Sequence, residues 1–113
     1  ELGYTVGTVY TSLTGAVSHA PEHKSAGTIQ LIALGSLLRS RGYTAWDFGM
    51  FMAYKGALGA EQISRADWLQ LQRESRAATP PSLSCPPSCA RALIDGRAVL
   101  EIPAVAMDGA GVP

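Results

Sequence analysis

The segment from Ala26 to Arg41 sets the architecture. Its apolar residues Ile29, Ile32 and Leu37, with Leu31, Leu34 and Leu38, recur at three- and four-residue steps. That stripe is wider than a surface helix needs, so the helix is expected to be covered on more than one side. Arg39 and Arg41 sit where cations complement the carbonyl end of the helix dipole, and Gly42 supplies a left-handed stop. Before the helix, Tyr4 to Leu13 is rich in β-branched and aromatic residues and reads as a strand. Thr14-Gly15 then reads as a turn into a return strand over Ala16-Val17-Ser18. After the helix, Tyr43 to Met50 is short and aromatic-rich, as a buried strand is. Strand, helix, strand is the βαβ order and implies an α/β (α+β) fold, a mixed sheet with packed helices.

The remaining segments fill in that frame. His19 to Ser25, with Pro21, Glu22 and Lys24, follows neither period and reads as a loop. Ala60 to Ile63 reads as a short strand. Ser64-Arg-Ala-Asp67 has the Ser-x-x-acid spacing of a helix start, and a helix from about Arg65 to Arg76 follows. Trp68 and Leu71, with Ala66 and Leu69, form its expected apolar side. From Thr79 to Cys89 four of the seven prolines crowd together, which predicts an extended linker. Beyond it, Arg97 to Ile102 is a plausible added strand, and the Gly-containing tail is expected to fray. The division is therefore a domain over 1–76 and a Pro/Cys-containing linker and tail over 77–113.

At 113 residues the chain suits a single domain that needs no metal or disulfide to bury a core. Nine basic residues balance nine acidic ones, so nucleic acid would have to be met by a local patch rather than a global field. Only 16% of residues are charged against 47% hydrophobic, which leaves apolar surface for a partner, a second copy of the chain included. The apolar runs Ile29 to Leu34 and Phe48 to Ala53 are far shorter than the ~20 residues of a membrane helix, so no membrane partner is expected. Cys85 and Cys89 are too few for a secreted disulfide framework, which favours a reducing, cytoplasmic setting. The start at Glu1 without a signal-like segment is what a processed product or a fragment would show.

Specific chemistry enters through a resemblance. The pieces Gly7-Thr-Val-Tyr-Thr-Ser-Leu-Thr-Gly15, Leu38-Arg-Ser-Arg-Gly-Tyr43, Trp46-Asp47 and Leu58-Gly-Ala-Glu-Gln-Ile-Ser-Arg-Ala-Asp-Trp-Leu69 resemble the C-terminal domain of leucyl/phenylalanyl-tRNA–protein transferases. In that family the last piece reads Leu-Gly-Ala, two variable residues, then Ile-Pro-Arg; here Ser64 stands in the proline's place. The likeness covers Gly7 to Leu71, somewhat more than half of the chain. It implies a GNAT-like domain that moves Leu or Phe from charged tRNA to the N-terminal amine of a protein beginning with Arg or Lys, tagging it for degradation, with no cofactor.

By the same resemblance Asp47 takes the place of the strand-borne acid that handles the amine. Gly49 stands where the family has a glutamine, and its backbone N–H is a candidate oxyanion donor. Glu22 is the candidate for the loop glutamate, and Tyr54 holds the spacing of a histidine. Trp46 and Phe48 are candidate pocket residues, and His23 lies on the loop expected beside the same strand ends. Plainer roles stand beside each: a strand-end acid bonded to backbone for Asp47, core for Trp46 and Phe48, a solvated loop for His19 to Lys24. His19, His23, Cys85 and Cys89 could supply four zinc ligands, but Cys-Pro-Pro-Ser-Cys is a poor zinc knuckle; no metal is expected, and a local Cys85–Cys89 disulfide or free thiols fit better. Other readings are a GNAT-type acyl-CoA N-acyltransferase using the turn Lys24-Ser-Ala-Gly-Thr28, and a non-catalytic dimeric peptide-binding module.

Overall fold

The computed structural model describes residues 1–85 and 90–95, and the backbone of 104–107. Strands β1 (Leu2–Val6) and β2 (Val9–Thr14) form an antiparallel hairpin in which Val6 faces Val9. The turn is therefore Gly7-Thr8, inside the run expected to be one strand, and no return strand forms over Ala16 to Ser18. Gly7 has φ +55, and a Cβ there would sit 1.7 Å from the Ser75 carbonyl oxygen. Glycine is demanded twice at this position, by conformation and by close approach.

Helix α1 (Ala26–Ser40) leads from β2 into β3 (Ala45–Met50), which runs parallel to β2 with Tyr10 opposite Trp46 and Thr11 opposite Asp47. The helix ends as its sequence predicts. Gly42 adopts φ +85, its N–H donates to the Arg39 carbonyl, and the Tyr43 N–H reaches back to Leu38, so the last carbonyls are satisfied. Helix α2 (Ala53–Ala57) follows β3, then β4 (Ala60–Ile63) and helix α3 (Arg65–Ser75). The Ser64 hydroxyl accepts from the Asp67 N–H and donates to the Asp67 carboxylate at 2.7 Å, closing the α3 start.

The sheet order is β1-β2-β3-β5-β4, where β5 is Ala104–Met107. Every strand pairing but β1 with β2 is parallel, which makes an α/β fold with a mixed sheet, as expected. The expected tail strand at 97–102 lies outside the described residues. Within the stretch expected to fray, β5 instead fills the gap between β3 and β4.

Alternation along the strands sorts the core into two layers. On one face Tyr10, Trp46 and Phe48 pack with Leu31, Leu34 and Leu38 of α1. Trp46 is fully buried, meets Tyr10 edge-on at 6.4 Å, lies 4.0 Å from Phe48, and donates its indole N–H to Ser12. On the other face Val9 and Ala45 pack with Ile63, Trp68 and Leu71, while Ala66 and Leu69 of α3 stay exposed. Helix α4 (Ala90–Ile94) packs against α1 and provides its second cover. The expected linker is extended through residues 79–85 but not loose. Tyr43 donates to the Pro81 carbonyl, Arg41 to the Ser84 carbonyl, and Leu83 joins the aromatic layer. Among the described residues no helix is long and apolar enough to cross a membrane.

Candidate functional site

Parallel β2 and β3 deliver their following connections to the same end of the sheet, the end at which open α/β sheets bind ligands. The connection after β2 leads through a 3-10 turn, Pro21–His23, to Ser25, which has φ +65 and offers α1 no side-chain cap. The first turn of α1 also carries no acidic residue. Its leading N–H groups are therefore left without the partner that Ser64 gives α3. They open on a hollow of 510 Å³ walled by His19, His23, Lys24 and the first residues of the helix. A neighbouring hollow of 320 Å³ shares Val17, Gly27 and Thr28 with it and adds Glu1, Gln30, Leu31 and Tyr54.

Neither hollow is lined by Asp47. Its side chain follows the parity of Ala45 and Thr11, on the face opposite the α1 layer, and is only 6% exposed. One carboxylate oxygen, Oδ1, accepts the Gly49 N–H at 2.7 Å. Burial pushes the Asp47 carboxyl above the ordinary carboxylate range, against the opposing pull of that hydrogen bond and of the Lys55 charge. Asp47, expected as the acid that handles the amine, is thus held inside the sheet and bonded to the end of its own strand. Opposite it in register, Thr11 keeps a buried hydroxyl oxygen with no partner.

Gly49 is corrected with it. The register between β3 and β5 shifts between Asp47 and Gly49, and Gly49 sits at φ +71. Nothing lies within 4 Å of where its Cβ would be, so conformation rather than space selects glycine. Its N–H is already given to Asp47 and is not open to an oxyanion. Lys55 completes the arrangement from α2, its ammonium donating to the Phe48 and Met50 carbonyls at 2.6 and 2.7 Å. Sequence reasoning missed Lys55, although it is the lone charge between Phe48 and Ala60.

Trp46 and Phe48 are core rather than pocket, being 0% and 4% exposed in the aromatic layer. Glu22 is exposed on the 3-10 turn and lines neither hollow. His23 lines the larger hollow, and half-exposed Tyr54 the smaller. Among the described residues no group of His, Cys, Asp and Glu could hold a metal ion. Cys85 is exposed, and Cys89 lies outside the described residues. No protein-family model, curated protein or solved structure matches this chain.

Proposed function

We propose that this chain is an aminoacyl-tRNA–protein transferase-like domain that holds the phosphate-bearing end of its donor where β2 passes into α1. The observation that carries this reading is the larger hollow, where Lys24, His19 and His23 surround an uncapped helix start at the carboxyl ends of parallel strands. An ammonium, two imidazoles and unpartnered N–H groups on one concave wall suit phosphate. The segments that resemble the transferase family fall on the hairpin turn and β2, the end of α1, the middle of β3 and the run from the end of α2 through β4 to α3; of these, the end of β2 leads toward the hollow.

In the proposed reaction the N-terminal amine of an acceptor protein, one beginning with Arg or Lys, attacks the ester carbonyl carbon of Leu- or Phe-tRNA. An amide bond forms, the ester bond to the ribose breaks, and the proton lost by the amine goes to the ribose oxygen that leaves. Asp47 is a positioning residue in this scheme: it fixes Gly49, and so the end of β3, without touching substrate. Rate enhancement comes chiefly from holding donor and amine side by side.

The test supplies Phe-tRNA and a peptide starting with Arg, and reads the mass of the peptide. Addition of one Phe is expected, with a raised KM for the tRNA in Lys24→Glu. No addition together with no retention of tRNA by the protein would contradict the reading. The same Lys24-Ser-Ala-Gly-Thr28 turn also fits the pyrophosphate of an acyl-CoA, and acetyl-CoA binding by calorimetry with indifference to RNA would favour that alternative. Exposed Leu2, Tyr4 and Leu13 on the edge hairpin favour a dimeric binding module, which sedimentation at high concentration decides.

A further inference from the structure

The two edges of the sheet are guarded differently. At one edge β4 is four residues long and carries an acid, Glu61. At the other, β1 has five residues, Leu-Gly-Tyr-Thr-Val, without the charge or proline by which natural sheets protect an edge. The free side of β1 follows from its register. Val6 and Val9 flank the two-residue turn and exchange hydrogen bonds, so by the alternation of antiparallel pairs Tyr4 also bonds to β2, while Gly3 and Thr5 turn their N–H and C=O groups outward. Among the described residues no backbone bond from outside the hairpin meets those groups. The extra residue that shifts the register, Leu13, belongs to β2 and leaves β1 regular. Leu2 and Tyr4 stand on one face with Leu13 of β2 beside them, and the three are 66%, 49% and 67% exposed.

We propose that β1 pairs antiparallel with β1 of a second copy about a two-fold axis at Tyr4, joining the two sheets into one. Tyr4 is the middle residue of the strand, so this register overlaps the whole of it. The seam then matches itself, which singles out a second copy as the occupant. Gly3 lies opposite Thr5 of the other copy, and their outward groups exchange hydrogen bonds. Tyr4 meets its own counterpart and Leu2 meets Val6, which sets apolar side chains against apolar ones. Between Leu2 and Val6 no charge is present to repel the same strand in a second copy. The dimeric alternative thereby gains a defined surface. That surface does not depend on acyl transfer, because no residue of β1 lines either hollow.

The test is sedimentation equilibrium of the full chain over about 5–500 μM, since a five-residue seam is smaller than a standard interface and sets a micromolar Kd. A monomer–dimer equilibrium is expected. Tyr4→Lys sets like charges face to face at the axis and should raise the Kd at least tenfold, with the fluorescence of buried Trp46 unchanged. The register is read by oxidation in a chain carrying Cys85→Ser and Cys89→Ser. Tyr4→Cys brings the paired Cα atoms to about 4.5 Å and should close a disulfide between copies. Leu2→Cys, at a position more exposed still, lies about 14 Å from its counterpart in this register and should stay reduced. A monomer at every concentration, which would leave the edge to a strand of another protein, a dimer indifferent to Tyr4→Lys, or equal cross-linking of the two cysteine variants would overturn the pairing.

Discussion

Strands β2 and β3 run parallel and finish at the same end of the sheet, yet they finish differently. The end of β3 is closed by its own neighbours: Asp47 takes the Gly49 N–H, and Lys55 takes the Phe48 and Met50 carbonyls. The end of β2 passes through a 3-10 turn into a helix whose first turn has no side-chain cap. Polar groups near a strand end are available to a ligand only where the local backbone has not already claimed them. By that measure the reactive-looking acid is held by the fold, and the plainer loop with Lys24 and His23 lines the open hollow.

Substitutions on the closed side should be felt as stability. Trp46→Ala removes the ring around which Tyr10 and Phe48 pack and should cost about 3–5 kcal/mol in urea denaturation. Asp47→Ala leaves the Gly49 N–H without its acceptor and should cost about 1–3 kcal/mol, whereas Asp47→Asn keeps an oxygen in place and should cost less. On the open side the sign reverses. Ser25 holds φ +65 and caps nothing, so Ser25→Gly should stabilise by about 1 kcal/mol, while Ser64→Ala, which removes a working cap, should destabilise by about 1 kcal/mol. If both serine substitutions destabilise equally, the contrast between the two helix starts is wrong.

A smaller effect sharpens the same contrast through pH. The folded-state value of Asp47 is raised above the unfolded one, so the folded chain holds that proton more tightly. The associated stability is present below the ordinary carboxylate value and is lost as pH rises through the raised value. Asp47→Asn lacks that loss, so its stability relative to the parent chain should improve as pH rises from below the ordinary carboxylate value through the raised one.

The sequence made the helices legible where caps and periods agree. Gly42 after Arg41 and Ser64 before Asp67 marked real ends, because each performs a local backbone task that needs no tertiary partner. The hairpin turn was hidden, because Gly7-Thr8 lies between β-branched residues that belong to both strands, and the demand for glycine comes from Ser75, far along the chain. The surroundings of Asp47 were hidden for a related reason. Asp47, alternating with Trp46 and Phe48, looks poised for chemistry, but its fate depends on a register shift against β5, whose strand the composition did not suggest. His23 and Tyr54 reach the hollows because they follow the ends of β2 and β3, a placement that topology supplies.

The sealed state of Asp47 can be measured directly by following its side-chain carboxyl carbon by NMR as pH is varied. A midpoint above the ordinary carboxylate value is expected, with the Gly49 amide proton shifting in step as its acceptor is protonated. A midpoint at or below the ordinary value, with Gly49 unresponsive, would mean that the acid is open to water and free for chemistry.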